Sequence, residues 1–301
     1  MRDTINVLAE IGYTTSAGEA TGSTPPRSTP SRPWDAIVQA YGEDYAAYVA
    51  TYKPGKEARR TVQDEVAFLE SLTPVERRSI ERVEEAGVFT GLTQRGIEEG
   101  ATNAIMDGTV QLRRGWSELI QHVVQAGKVG IVSVNWSRTF IRQTLVSSAS
   151  RSSAKEPVLD ALRLVPIGAN DIAGLEGGRP VSGKMERHFA DRGEGIWTAG
   201  HKKRLMRQML EGRGSERTIY VGDSMTDLAC LIEAEVGIVI RDDPMRAGQK
   251  DLADCLHRLG IEIRWIGAYD GQGNPRSGID PILWWAADFT QILDSPLMAH
   301  S

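Results

Sequence analysis

Thr218-Ile-Tyr-Val-Gly-Asp-Ser-Met-Thr-Asp-Leu228 is a β-branched and aromatic run that stops at Gly222-Asp223 and sets a second carboxylate, Asp227, shortly after it. A run of this kind reads as a buried parallel strand. Its stop at Gly-Asp delivers an acid to the carboxyl edge of the sheet, where open α/β sheets bind ligands. The same residues also suit a plainer role, with Asp223 or Ser224 capping the next helix and Asp227 favouring its dipole.

Outward from this stretch, strand and helix alternate. The pattern predicts a helix over Trp116–Ala126, a strand over Lys128–Val134, a helix over Ser137–Ser147 and a strand over Ala161–Ile167. It continues with a helix over Lys202–Leu210, the strand Thr218–Val221, a helix over Met225–Glu235, a strand over Gly237–Ile240 and a helix over Lys250–Leu259. Such alternation implies a parallel sheet covered on both faces. Before residue 113 the pattern is helical: Asp3–Gly12, Trp34–Thr51, Glu57–Leu72, Pro74–Ala86 and Leu92–Ala104, with Thr73 as the expected N-cap ahead of Pro74 and Glu76. A Gly/Ser/Thr/Pro stretch, 14–33, interrupts it as a loop insert. The expected division is thus a helical region over 1–112 and an α/β core over 113–301.

Composition narrows the function. With 301 residues, 41% of them hydrophobic, the chain has material for a sizeable core and a smaller second unit. A net charge of -5 and basic residues that never cluster beyond short groups argue against a nucleic-acid partner. No apolar run approaches the roughly 20 residues needed to span a bilayer. Cys230 and Cys255 lack metal or redox spacing and read as buried reduced thiols, which points to the cytoplasm.

Three groups of residues carry possible chemistry. Val129-Gly-Ile-Val-Ser-Val-Asn-Trp-Ser137 is an apolar strand ending in hydroxyl and amide side chains at a helix start. Ser133 and Asn135 there could cradle phosphate with free backbone N–H groups, while Ser137 also suits a simple cap. Lys202, in Ala199-Gly-His-Lys-Lys-Arg-Leu-Met-Arg-Gln-Met-Leu210, offers a point charge for phosphate oxygens; the competing reading is a solvated helix face. Asp223 and Asp227 are hard oxygen ligands of the kind Mg²⁺ takes, one or two at a time, together with water and substrate phosphate.

Taken in order, Ser133, Lys202 and Gly222-Asp223-Ser-x-x-Asp227 resemble the second, third and fourth motifs of the haloacid dehalogenase (HAD) superfamily. The helical region before residue 113 is similar to the cap of phosphoserine-phosphatase-like members, and the overall pattern resembles fungal HAD-like proteins. The resemblance implies a Rossmann-like core with a helical cap, Ser133 and Lys202 in catalytic roles, and Ser133, Asn135 and Lys202 on a phosphoryl group. It also implies Mg²⁺ at Asp223 and Asp227, held weakly or not at all in this chain. The partner it implies is a small phosphorylated molecule. Lys202 fits better than Lys203, because Leu205, Met206, Met209 and Leu210 fall in the packing positions. His201 departs from the pattern, standing where a small or acidic residue is usual.

The family's first motif, a strand ending in Asp-x-Asp-Gly-Thr, is not among these 301 residues. The one Asp107-Gly-Thr109 has Ile105 in the nucleophile's place and reads as a turn. Met1-Arg-Asp-Thr-Ile resembles the segment just downstream of that motif in related phosphatases, so the expectation is a chain that starts immediately after the catalytic strand. The sheet's central first strand would then be missing, together with the nucleophile and the acid/base. Two functions remain open: a Mg²⁺-dependent phosphomonoesterase acting through an aspartyl-phosphate, truncated before its nucleophile, or an inactive HAD-like protein binding a phosphorylated ligand or a protein partner.

Overall fold

The computed structural model describes residues 6–12, 33–127, 129–152, 155–186, 195–212, 217–271 and 281–299. Helices come first: α1 covers 6–12, followed by α2 (Pro33–Thr51), α3 (Val62–Ser71), α4 (Thr73–Glu85) and α5 (Gln94–Met106). Next are α6 (Trp116–Ala126), β1 (Ile131–Val132), α7 (Arg138–Ala149), α8 (Lys155–Leu164) and β2 (Ile167–Gly168). After α9 (Ala199–Leu210) the chain alternates through β3 (Ile219–Gly222), a 3-10 turn (Met225–Asp227), α10 (Leu228–Glu233), β4 (Val236–Ile240), α11 (Ala247–Arg258) and β5 (Glu262–Trp265). β6 (Ile282–Ala286), α12 (Phe289–Leu293) and α13 (Pro296–Ala299) complete the order. The fold is mixed α/β with parallel strands, as the alternation predicts. The Gly/Ser/Thr/Pro insert lies outside the described residues, except that Pro33 already opens α2.

Two compact units are present. One gathers the described residues of Met1–Thr51, Leu72–Leu112 and Ser133–Trp197; the other gathers those of Tyr52–Ser71, Arg113–Val132 and Thr198–Ser301. The expected boundary at 112/113 is one of the crossings between them. The other crossings place 52–71 with the α/β unit and 133–197 with the helical one.

In the first unit, Leu8, Val83, Phe89, Leu92, Ile97, Phe140 and Ile172 form a core against which Trp34 and Trp136 pack edge to face, 5.9 Å between ring centroids. Gly183 is required here: at φ +83 it brings its backbone so close to Thr90 that an added Cβ would lie 2.7 Å from the Thr90 nitrogen.

The second unit is built on a four-stranded parallel sheet of order β3-β4-β6-β5. β4 is buried along its whole length, and Val236, Ile238 and Ile240 share a core with Trp284, Ala286 and Ile292. On its other face Gly237 meets α10, where an added Cβ would lie 2.3 Å from the Leu231 carbonyl oxygen. β3 departs from the expectation of a fully buried strand. It ends the sheet order, no described strand pairs with its outer edge, and Ile219 is 37% exposed.

Three local expectations are corrected. Residues 161–164 belong to helix α8, not to a strand, because Val158, Ala161 and Leu162 recur at helical spacing and bury one face, leaving only Ile167–Gly168 extended. Of the strand expected over Lys128–Val134, Lys128 lies outside the described residues and the rest shrinks to Ile131–Val132, since beyond it Ser133 and Asn135 side chains take over the backbone N–H groups of a turn. Thr73 lies inside α4, with Leu72 at the N-cap position and no side-chain cap; Glu76 is drawn instead to the Tyr41 hydroxyl, 2.8 Å away.

Candidate functional site

The acidic turn after β3 and the start of α9 build one cluster in the second unit. Thr198 caps α9, and His201 completes a capping box by accepting the Thr198 N–H at Nδ1, 3.1 Å. That gives His201 a local structural role at a position where the resemblance implied a small or acidic residue. The next residue, Lys202, falls on the inward face with Leu205 and Met206. Its Nζ donates to Asp227 Oδ1 at 2.6 Å, with both side chains more than nine-tenths buried. Lys203 is only half-buried.

Asp227 is saturated. Besides Lys202, its Oδ1 accepts from the Tyr220 hydroxyl at 2.7 Å, and its Oδ2 accepts from the Ser224 hydroxyl at 2.7 Å and from the backbone N–H groups of Asp223 and Ser224. Burial alone pushes the Asp227 carboxyl up, but the Lys202 ammonium and the hydroxyl donors outweigh it and hold it below the usual carboxylate range. Burial, and then the Asp227 charge, push the Tyr220 phenol well above its ordinary value. Gly222 permits the close approach: an added Cβ would lie 2.5 Å from Asp227 Cβ.

Asp223 is the open acid, its side chain 46% exposed at the end of β3. Arg113 NH2 reaches Asp223 Oδ2 at 3.4 Å, while the same guanidinium forks onto Asp242, just past the end of β4. Asp242 also meets Arg246 at 2.9 Å, and its N–H donates to the buried Gln249. The Arg113 hydrogen bond leads in holding the Asp242 carboxyl below its usual range, against the opposing effect of burial. Sequence reasoning passes over Arg113, Tyr220, Asp242 and Gln249. Only Asp242 had a signal of its own, an acid just past an apolar strand, like Asp223.

Ser133 and Asn135 lie in the first unit, each engaged in a local turn. Ser133 Oγ accepts the Asn135 N–H at 3.1 Å, and Asn135 Oδ1 accepts the Ser137 N–H at 3.0 Å. Ser137 caps α7 as expected, yet a buried carboxylate sits there too. Asp171 accepts the Ser137 hydroxyl at 2.9 Å, the Thr139 hydroxyl at 2.9 Å and the Thr139 N–H at 3.2 Å. The helix start foreseen as a phosphate cradle already holds an anion from its own chain. Asp107 accepts the Thr109 N–H in a turn at the end of α5, as read from the sequence.

The donor set does not complete a Mg²⁺ site. Asp227 has both oxygens committed, Asp242 is forked by Arg113, and Asp223 is left as a single carboxylate with a guanidinium beside it. Among the described residues no group of three His, Cys, Asp or Glu side chains is disposed to hold a metal.

Fold and cluster together define a mixed α/β protein with a buried lysine–aspartate pair at the carboxyl end of a parallel strand. Among known proteins, a CTO1 family protein of Schizosaccharomyces pombe is 25% identical over 218 residues, 70% of this chain and 72% of that protein. A bifunctional TH2 protein, mitochondrial, of Arabidopsis thaliana is 24% identical over 215 residues, 69% of this chain and 31% of that protein. This chain thus covers about a third of the Arabidopsis protein. No family model matches the chain, and no solved structure does. Among the described residues no helix is long and apolar enough to cross a membrane.

Proposed function

We propose that this chain carries a HAD-like phosphomonoester site, and that these 301 residues bind a small phosphorylated molecule without hydrolysing it. The observation that carries the reading is the Lys202–Asp227 pair, 2.6 Å and buried, beneath the open Asp223 at the carboxyl end of β3. In α/β folds that edge is where ligands sit. Lys202 and Asp227 supply a fixed charge pair, and Asp223 supplies an open acid. Where a nucleophilic Asp-x-Asp is furnished by further polypeptide, the same site belongs to a phosphatase that works through an aspartyl-phosphate. No step of that chemistry is assigned to residues seen here.

A second reading, a HAD-like pseudoenzyme that stays inactive even when extended and binds a phosphorylated ligand or a protein partner, is favoured by one observation. Arg113 lies on Asp223, the carboxylate an active site would keep open. The test is phosphate release from p-nitrophenyl phosphate by the 301-residue chain, by its Asp223→Asn variant and by a form extended with a strand ending in Asp-x-Asp-Gly-Thr. We expect turnover from the extended form only. Release by the 301-residue chain that disappears in Asp223→Asn would overturn the first reading, and an inactive extended form would leave the binding protein as the better one.

A further inference from the structure

We infer that Arg113 is the resident counter-ion of Asp223 and keeps divalent cations off that carboxylate. The inference rests on the reading of Asp223 as the open acid of the site.

The placement of Arg113 is fixed from both sides. Immediately after it, the Arg114 carbonyl accepts the Phe289 N–H at 3.0 Å. Gly115, at φ +77, is pressed so tightly on the start of α12 that an added Cβ would lie 2.5 Å from the Thr290 nitrogen. At the other end the guanidinium is forked by Asp242, itself held by Arg246 and by Gln249. Arg113 is therefore not a drifting surface side chain, its own exposure being 21%. From this anchored position NH2 turns a remaining donor toward Asp223 Oδ2 at 3.4 Å.

Asp227 has no oxygen left for a metal, so a cation arriving at this corner would depend on Asp223 first. There it would meet a fixed positive charge a few ångströms away, and like charges at that separation repel even through partly exposed surroundings. The planar guanidinium, shared by Asp223 and Asp242, offsets part of the negative charge at Asp223 from a fixed position. Arg113 is thus a positioning and selectivity residue, disfavouring a hard divalent ion at the edge of the sheet.

The experiment titrates Mg²⁺ alone into the 301-residue protein calorimetrically, with free Mn²⁺ followed by electron paramagnetic resonance in parallel. We expect Arg113→Gln to bind either ion at least about tenfold more tightly than the unmodified chain, Arg113→Lys to stay weak because it keeps the charge, and Arg113→Gln/Asp223→Asn to lose the gain. Should Arg113→Gln fail to give a cooperative urea transition, Asp223→Glu, whose carboxylate reaches past the guanidinium at a half-exposed position, is expected to tighten binding instead. Equal affinity in Arg113→Gln and the unmodified chain, or in Arg113→Lys and Arg113→Gln, overturns the inference, as does unchanged affinity in Asp223→Glu where that variant is needed. A gain that survives Asp223→Asn overturns Asp223 as the ligand and with it the reading on which the inference rests, whereas an extended form without p-nitrophenyl phosphate turnover, with the Mg²⁺ pattern intact, counts against the proposed function alone.

Discussion

Replacing Lys202 by Met removes the ammonium from a carboxylate that has almost no contact with water. Side-chain exposures of 8% and 6% place the Lys202–Asp227 pair in the interior, where deleting one partner of an ion pair typically costs about 3–5 kcal/mol. The lower end of that range applies, because Tyr220, Ser224 and two backbone N–H groups still donate to Asp227. A loss of about 3 kcal/mol is a large share of the roughly 5–15 kcal/mol that holds a domain folded. The pH dependence gives a second signature. In the unmodified chain the Asp227 carboxyl is depressed, so its contribution is present above the unfolded value near about 4 and is lost as pH falls through the folded one. Without Lys202 the largest effect holding the Asp227 carboxyl down is gone while its burial remains, so we expect the variant to suffer its penalty as pH rises and the carboxylate ionises. The stability gap is therefore widest at neutral pH and narrows toward about pH 4. Urea unfolding followed by tryptophan fluorescence, to which the buried Trp284 contributes, measures it at pH 7 and pH 4.5. The double variant Lys202→Met/Asp227→Leu should recover part of the loss, since no buried charge is left alone. A gap below about 1 kcal/mol at pH 7, or one equal at both pH values, would refute the assignment of a buried, mutually supporting pair.

The other predictions are simpler. Gly222→Ala drives a methyl to 2.5 Å from Asp227 Cβ and should lower stability by about 1–3 kcal/mol in the same urea assay; an unchanged midpoint would mean the turn has room it does not show. Burial pushes the thiols of Cys230 and Cys255 up to about 12, so neither should react with a thiol reagent at pH 8 in the native protein while both react in urea. Fast native labelling of either would contradict its burial.

What the sequence showed of the site was whatever lay close together in the chain. Gly222, Asp223, Ser224 and Asp227 form one turn, so an apolar strand that stops at Gly-Asp was enough to place them and to set Asp223 at the sheet's edge. Lys202 was picked out only through the resemblance, since spacing alone also fits a solvated helix face; Leu205 and Met206 then favoured it over Lys203, and the structure does turn it inward beside them. Arg113 could not be found that way. Its fork with Asp242 joins residues 129 positions apart, and nothing in Arg113-Arg-Gly-Trp116 distinguishes a site arginine from a surface one. Asp171 was hidden likewise, 34 positions from the Ser137 it binds. The misread segment around residue 161 failed on period: a short apolar run fits either a buried strand or the inner face of a helix, and the residues before it decide. The openness of β3 was hidden in a different way. Periodicity shows that a strand is apolar, but sheet order is a property of the whole fold.

These long-range partners change what the site can do. Read locally, Lys202, Asp223 and the start of α7 are groups with unused charge or unused donors, ready for a phosphate and its metal. In the folded chain each already has an internal partner: Asp227 for Lys202, Arg113 for Asp223, and Asp171 for the N-terminal turn of α7. A ligand at any of them must substitute for a fixed group rather than meet an empty one, and its net affinity is the difference between two similar interactions. The buried Lys202–Asp227 pair resists such exchange because separating it leaves two charges without water. The half-exposed Asp223–Arg113 contact, longer and weaker, exchanges more easily. On the proposed reading, selectivity at this edge of the sheet would be set at Asp223 and Arg113, while Lys202 and Asp227 keep the turn beneath them in shape.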